Sequence, residues 1–173
     1  MHGWIEAFLF FLPAGFANMA PLFANKIPAL NRWKTPMDFG RSYKGVRIFG
    51  QNKSLRGLVC GVILGGLVAY IVYHLYSLPY GTTTYVIGGA LMGFGALVGD
   101  AVESFFKRRV GIQPGNAWFP FDQLDYIIGG LLVSYLVLTP SIVTILRVII
   151  LYFGLHLVVS YIGYLLGFKE KPI

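Results

Sequence analysis

Charge is scarce in this sequence. Only 12% of its 173 residues are charged and seven of them are Asp or Glu, whereas 56% are hydrophobic. Soluble domains usually carry about 25% charged residues. The scarcity of charge excludes an ordinary soluble domain and predicts a membrane protein.

Three other features are rare or absent. The single cysteine, Cys60, lies in an apolar run, so an intramolecular disulfide framework is excluded and a packing role is expected. The segment 50–54 lacks the spacing of a Walker A phosphate loop, although it contains Gly and Lys-Ser. No internal repeat is visible, which weakens the case for a transporter built from inverted repeats.

Long apolar runs dominate what remains. A helix needs about 20 apolar residues to cross a bilayer, and five runs satisfy this length. They predict an all-α, polytopic membrane protein with spans at about 4–24, 57–78, 83–105, 122–139 and 142–167. Pro13 and Pro21 predict a kink or a broken segment in the first span.

The basic residues predict the orientation of these spans. Thirteen of the 14 Lys and Arg residues lie in segment 25–56, in segment 106–121 or in the tail that holds Lys169 and Lys171. With five spans these regions share one side, which the positive-inside rule makes cytoplasmic. The N-terminus is then outside and the C-terminus inside. Because the charges follow the membrane boundary, the net charge of +7 predicts no nucleic-acid partner.

Two polar residues interrupt the last apolar run. Arg147 lies near its predicted outer end, where a long basic side chain is expected to reach the headgroups. His156 lies deeper, and an interhelical hydrogen bond is the expected use of its ring.

Two acid pairs of equal spacing lie at the ends of apolar runs. Asp100 and Glu103 end the third run, and Asp122 and Asp125 begin the fourth. Carboxylates at membrane depth are costly and usually mark a functional site. Because the intervening segment returns the chain to the same side, the pairs can converge, and their oxygens suit Mg²⁺.

Simpler explanations account for part of this pattern. Glu103 can pair with Lys107 at i,i+4 on a helix that also places Asp100 and Ser104 on the same face. Asp122 alone fits a helix N-cap. Neither explanation accounts for Asp100 or Asp125.

The segment 25–56 supplies the complementary charge. Its basic residues alternate with glycines and aromatics and enclose Asp38. Glycine allows close backbone approach, and Lys and Arg bind phosphate. A polybasic segment attracted to anionic lipids is the alternative interpretation.

A family resemblance is carried by these residues. The pattern Pro36-x-Asp38-x-Gly40, Lys44-Gly45-x-Arg47-x-Phe49-Gly50, Lys53-Ser54-x-Arg56-Gly57 resembles the cytoplasmic loop of archaeal CDP-archaeol synthases. The later pattern Gly99-Asp100-x-x-Glu103-Ser104-x-x-Lys107-Arg108, Pro114-Gly115, Asp122-x-x-Asp125 fits the same family and is similar to the signature of bacterial CDP-diacylglycerol synthases.

The resemblance implies a function and an architecture. It implies a CTP-dependent cytidylyltransferase that converts 2,3-bis-O-geranylgeranyl-glycerol 1-phosphate into a CDP-activated ether lipid, with Mg²⁺ as cofactor and pyrophosphate as the other product. Residues 1–173 would form a single integral domain of the cell membrane, with cytoplasmic loops 25–56 and 106–121. A transporter that couples ions or protons to its carboxylates is the alternative.

The resemblance also implies residue roles. The expected metal ligands are Asp100, Asp122 and Asp125, with Glu103 a weaker candidate, and Lys107 joins the three aspartates as a catalytic residue. The expected nucleotide and phosphate ligands are Asp38, Lys44, Arg47, Asn52, Lys53, Ser54, Arg56, Ser104, Lys107 and Arg108.

Overall fold

The computed structural model describes residues 2–50, 52–76 and 78–167, and within them the chain forms a helical bundle. The tail residues Lys169 and Lys171, on which part of the predicted orientation rests, lie outside the described residues. The elements are α1 His2–Lys26, α2 Pro28–Asn31, β1 Ser42–Tyr43, β2 Val46–Arg47, α3 Leu55–Leu75, α4 Thr82–Arg109, α5 Phe121–Ser134 and α6 Ile142–Leu165.

Four of the described helices, α1, α3, α4 and α6, are long and apolar enough to cross a membrane. Helix α5 has only 14 residues and ends at Ser134, so the predicted span 122–139 is α-helical only in its first part. After Ser134 the chain tightens into turns, in which the N–H groups of Leu136 and Val137 donate to carbonyls three residues back, those of Val133 at 3.3 Å and Ser134 at 3.0 Å.

Helix α4 is longer than its apolar run. It continues to Arg109 rather than ending at 105, so the segment predicted as a loop from 106 begins as helix. Lys107, Arg108 and Arg109 form its last turn, where positive side chains interact favourably with the negative end of the helix dipole.

Helix α1 runs unbroken through Pro13 and Pro21, so the predicted break is absent. Proline has no N–H, and Pro13 therefore leaves the carbonyl of Leu9 without its usual helical donor. The buried hydroxyl of Tyr85 on α4 compensates by donating to the carbonyls of Leu9 at 2.9 Å and Phe10 at 3.1 Å.

Helix α4 occupies the centre of the bundle and contacts α1, α3 and α5. Glycines let α3 and α4 approach closely, since a Cβ added to Gly65 would lie 2.4 Å from the Gly89 carbonyl oxygen. On its other side α4 meets α5 in the same way, with Gly95 against Gly129. Helix α6 lies at the periphery, and only three of its side chains are buried: Val148, Tyr152 and Ser160.

Candidate active site

A polar cavity of about 1350 Å³ opens at the end of the bundle where α4 ends and α5 begins, here called the cavity end. Side chains from α1, α4, α5 and α6 line it, together with parts of segments 45–53 and 111–117. The residues predicted from the sequence that line it are Arg47, Asn52, Lys53, Asp100, Glu103, Ser104, Lys107, Arg108, Asp122 and Asp125.

Three carboxylates converge in this cavity. Asp100, Glu103 and Asp125 each offer an oxygen atom, and these atoms lie within 4.8 Å of one another. Their approach depends on Gly99, because a Cβ there would lie only 2.3 Å from the Asp125 carbonyl oxygen. A set of carboxylate oxygens at this spacing fits a hard divalent cation such as Mg²⁺.

Asp122 lies outside this triplet. One of its carboxylate oxygens accepts from Lys107 Nζ at 2.6 Å, and the other accepts from the backbone N–H of Trp118 at 2.9 Å. Lys107 also lies 3.4 Å from a Glu103 oxygen. The geometry therefore groups Glu103 with Asp100 and Asp125, and gives Asp122 an ion pair with Lys107 and a hydrogen bond from the segment before α5 rather than the predicted N-cap role.

Lys53 brings the loop before α3 to the triplet, since its Nζ lies 2.5 Å from an Asp100 oxygen. Two backbone hydrogen bonds, at Lys53 and at Leu55, fix this part of the chain. Met37 N donates to the Lys53 carbonyl at 2.8 Å, and Leu55 N donates to the Thr35 carbonyl at 2.9 Å.

Arg108 adds donors to the cavity wall. Among the described residues its Nε and Nη1 atoms are buried and have no hydrogen-bond partner. Buried guanidinium donors without a partner are costly, and a bound phosphate would satisfy them.

Asp38 organises the loop that forms the outer wall. Its two oxygens accept from Arg47 Nη2 at 2.5 Å and Nε at 3.2 Å, and from the backbone N–H groups of Gly40 at 3.0 Å and Phe49 at 3.2 Å. Burial by itself would raise the pKa of this carboxyl, but the Arg47 guanidinium and the two backbone donors outweigh it, so the pKa lies below its usual 3.8.

Arg109 ties this loop to α4. Its Nη1 donates to the carbonyls of Arg47 at 3.1 Å and Ile48 at 3.0 Å, and its guanidinium lies 3.7 Å from the centre of the Phe105 ring. The wall that carries Arg47 is therefore held both from within the loop and from the end of α4.

The lowered pKa of Asp38 predicts how the loop responds to acid. Because the folded pKa lies below the unfolded one, the stabilisation is complete above about pH 4 and is lost as the pH falls through the folded pKa. We expect Asp38→Asn to accelerate hydrogen exchange over residues 38–49 at neutral pH. The ratio of variant to wild-type exchange, measured at each pH, should persist down to about pH 4. A ratio that approaches one already near neutrality would contradict the assignment.

Besides Asp38, three residues assigned to nucleotide and phosphate binding do not line the cavity. Arg56 is buried at 6% exposure and donates to the Leu30 carbonyl and to the side chains of Asn31 and Asn25. Ser54 caps α3, where its hydroxyl accepts from Gly57 N at 3.2 Å.

The third, Lys44, lies in the turn between β1 and β2, with its ammonium 5.7 Å from the Tyr43 ring centre. These side chains stabilise the loop rather than contact the cavity.

Several polar residues that line the cavity were not predicted from the sequence as site residues. Asn18 of α1, Gln113 and Asn116 line the cavity, as does His156 of α6, for which only a helix contact was expected. A polar side chain in an otherwise apolar helix was the available signal for Asn18 and His156.

Comparison with known proteins identifies the family of this chain. The family model for CarS-like CDP-archaeol synthases matches residues 5–173 of this sequence. The chain belongs to the CDP-archaeol synthase family. Family members include a CDP-archaeol synthase of Methanospirillum hungatei, 39% identical over 161 residues that cover 86% of this chain and 95% of the relative. The CDP-archaeol synthase of Thermococcus kodakarensis is 34% identical over 176 residues, covering 98% of this chain and 99% of the relative.

A solved structure matches the fold of this CDP-archaeol synthase family member. That structure, of an intramembrane enzyme for archaeal membrane lipid biosynthesis, aligns with a TM-score of 0.75 and 30% sequence identity. The alignment covers 90% of this chain and 93% of the other. The chain is a multi-pass membrane protein, consistent with its four long apolar helices.

Proposed function

We propose that this cavity transfers the cytidylyl group of CTP to 2,3-bis-O-geranylgeranyl-glycerol 1-phosphate. Membership in the CDP-archaeol synthase family makes the chain a membrane cytidylyltransferase of archaeal lipid biosynthesis. The observation that supports placing the reaction here is the convergence of three carboxylates within 4.8 Å in a cavity that also holds basic side chains.

The reaction needs positioning and charge neutralisation rather than a protein nucleophile. An oxygen of the lipid phosphate attacks the α-phosphorus of CTP, the bond from that phosphorus to the β-phosphate oxygen breaks, and pyrophosphate leaves. Negative charge concentrates on the phosphates, so fixed cations that approach them favour the transition state.

Asp100, Glu103 and Asp125 would hold Mg²⁺, and bound Mg²⁺ would supply charge neutralisation on the phosphate oxygens. Asp122 contributes by orienting Lys107 from the start of α5. As a metal ligand, Glu103 therefore ranks above Asp122 in this proposal, whereas the sequence alone ranked Asp122 above Glu103.

The cations divide between the two walls. Lys107 and Arg108 project from the last turn of α4, and Lys53 and Arg47 belong to the opposing loop. Triphosphate bound between these walls would receive bidentate contacts from the arginines and point-charge contacts from the lysines. Asn52 and Ser104 also line the cavity and would add neutral hydrogen bonds.

The proposal includes a topology. Helix α5 would complete five membrane passes within a single domain, with the turn at 135–138 filling the remaining depth. The N-terminus would lie outside. The cavity end, with the basic segment 25–56, would face the cytoplasm, where CTP is available.

The transporter alternative is not favoured. A transporter predicts acids near the bilayer midplane, whereas Asp100, Glu103, Asp122 and Asp125 all lie in the cavity at one end of the bundle. Most of the basic side chains lining it come from the last turn of α4 and from an ordered loop, an arrangement suited to phosphate.

The direct test is release of pyrophosphate by the purified protein. We expect release to require CTP, Mg²⁺ and the lipid phosphate together, and the organic product to be the CDP-lipid. Absence of release with this lipid and with other phospholipid monoesters would refute the proposed function.

Lys53 offers a prediction about CTP. Removing its charge by Lys53→Gln should raise the KM for CTP by about tenfold or more, since a hydrogen bond to a charged group contributes roughly 1.5–3 kcal/mol. Steady-state kinetics with varied CTP measures this change. The matched control is Lys34→Gln, which alters a lysine of the same loop that does not line the cavity. An unchanged CTP dependence in Lys53→Gln would remove this residue from the nucleotide site.

A further inference from the structure

Two polar side chains that are neither carboxylates nor Lys or Arg line the membrane side of the cavity. The reaction described above gives them no role. Asn18 comes from α1 and His156 from α6. Both helices are otherwise apolar where they border the cavity, and neither contributes a carboxylate or a cation to its wall.

The position of these residues follows from the packing of α1 against α6. The two helices meet at Tyr152, whose ring lies 5.0 Å from the ring of Phe11 and whose Cε1 atom lies 3.1 Å from a Cβ added to Gly15. Asn18 follows Gly15 by three residues and His156 follows Tyr152 by four. Each therefore lies on the same helix face as the contact, one turn nearer the cavity end.

Two further contacts set the depth of the pair relative to the acids. Ala17, the neighbour of Asn18, packs beside Gly93, which precedes Asp100 by about two turns of α4. The His156 ring lies 5.7 Å from the ring of Tyr126, the residue after Asp125. The pair thus lies on the membrane side of the carboxylate triplet.

The surface of α6 that precedes His156, on the side away from the cavity end, faces outward. Its exposed apolar side chains include Val143, Leu146, Ile150 and Leu155. A lipid whose chains lie along this part of α6 would bring its head group into the cavity beside His156 and Asn18. A nucleotide that enters from the cavity end would meet the basic loop and the last turn of α4 first.

We propose that Asn18 and His156 bind the phosphate monoester of the lipid substrate and so set the position of the attacking oxygen; this inference rests on the proposed function. An amide and an imidazole donate hydrogen bonds to phosphate without the full charge of Lys or Arg. The attacking oxygen is thereby positioned while it keeps its negative charge, and the cations remain on the triphosphate.

The experiment separates the two substrates kinetically. Asn18→Ala and His156→Ala should each raise the KM for the lipid phosphate by about tenfold, the effect of losing one hydrogen bond to a charged group. The KM for CTP, and CTP binding in the presence of Mg²⁺ without lipid, should be unchanged. Met19→Ala and His74→Ala are the controls, since both side chains are exposed on membrane helices and neither lines the cavity.

A second pair of variants guards against simple loss of packing. His156→Gln keeps a donor and His156→Leu does not, so the lipid KM of His156→Leu should exceed that of His156→Gln by about tenfold. Asn18→Asp adds a negative charge at unchanged size and should raise the lipid KM above that of Asn18→Ala. A lower Mg²⁺ requirement in Asn18→Asp would assign this residue to the metal instead and overturn the proposal.

The remaining outcomes distinguish this inference from the proposed function. If wild-type protein releases no pyrophosphate from CTP and the lipid phosphate, the proposed function itself fails. If wild-type protein is active and the five variants at 18 and 156 leave the lipid KM unchanged, or raise both KM values together, the lipid-phosphate site is wrong and the function stands.

Discussion

Replacing Asp125 by asparagine should reduce turnover by at least about a hundredfold, because loss of residues that merely support metal ligands already costs ten- to a hundredfold. Asp125 lies in the triplet with Asp100 and Glu103, and asparagine preserves its size. Asp100→Asn should have a similar effect. The measurement is the initial rate of pyrophosphate release at saturating CTP and Mg²⁺.

The acidic control for this experiment is Glu6→Gln, at the end of α1 remote from the cavity, which should leave the rate unchanged. The geometry also predicts which of two other cavity carboxylates matters more for Mg²⁺ binding. Glu103→Gln should raise the Mg²⁺ requirement more than Asp122→Asn, since Glu103 belongs to the triplet and Asp122 pairs with Lys107. Near-normal rates in both Asp100→Asn and Asp125→Asn would refute the metal site.

Replacing Gly99 by alanine should reduce turnover by about a hundredfold without any change to a polar group. The added Cβ would lie 2.3 Å from the Asp125 carbonyl oxygen and 3.2 Å from the Gly129 Cα, both in the backbone of α5. Backbone atoms cannot rotate away, so α5 must shift and carry Asp125 with it. A displacement of about 1 Å can cost about a hundredfold in rate, and overpacking costs about 1–3 kcal/mol of stability.

Gly154→Ala is the matched control for this substitution. Position 154 lies within α6, and a Cβ added there meets nothing within 4 Å. Because alanine favours helix over glycine, this variant should fold at least as well as wild type and keep its activity. Full activity in Gly99→Ala would show that the approach of α5 to α4 does not position Asp125.

Much of the bundle could be predicted because apolar length and glycine spacing are local features of the sequence. The ends of α4 and α5 could not, because helix ends depend on hydrogen bonding rather than on hydropathy. The run stays apolar from Tyr126 to Leu138 apart from Ser134, yet the N–H groups of Leu136 and Val137 bond to carbonyls three residues back and the regular α-helix ends. Conversely, the basic last turn of α4 remains helical although its residues are polar.

The residues of the candidate site show the same division. Asp100, Glu103 and Asp125 follow from spacing, because i,i+3 positions share a helix face and both pairs border the same turn of the chain. Spacing cannot decide between Lys53 and Arg56, which are three residues apart in one basic motif. The chain begins α3 between them, so Lys53 contacts Asp100 while Arg56 turns towards Leu30 and Asn31.

Asn18 and His156 could not be placed from the sequence because their proximity to the cavity depends on how α1 and α6 pack. That contact is made by Tyr152 against Phe8, Phe11 and Gly15, residues more than 130 positions away in the chain. No local pattern carries this information.

Because Tyr85 donates to the Leu9 carbonyl that Pro13 leaves without a donor, the substitutions tolerated at position 85 depend on the residue at position 13. Losing the tyrosine while Pro13 remains would strand a carbonyl in hydrocarbon, a cost of several kcal/mol. Replacing the proline first restores a helical donor to Leu9, after which phenylalanine at 85 becomes tolerable. A lineage can therefore abandon this pair in one order more easily than in the other.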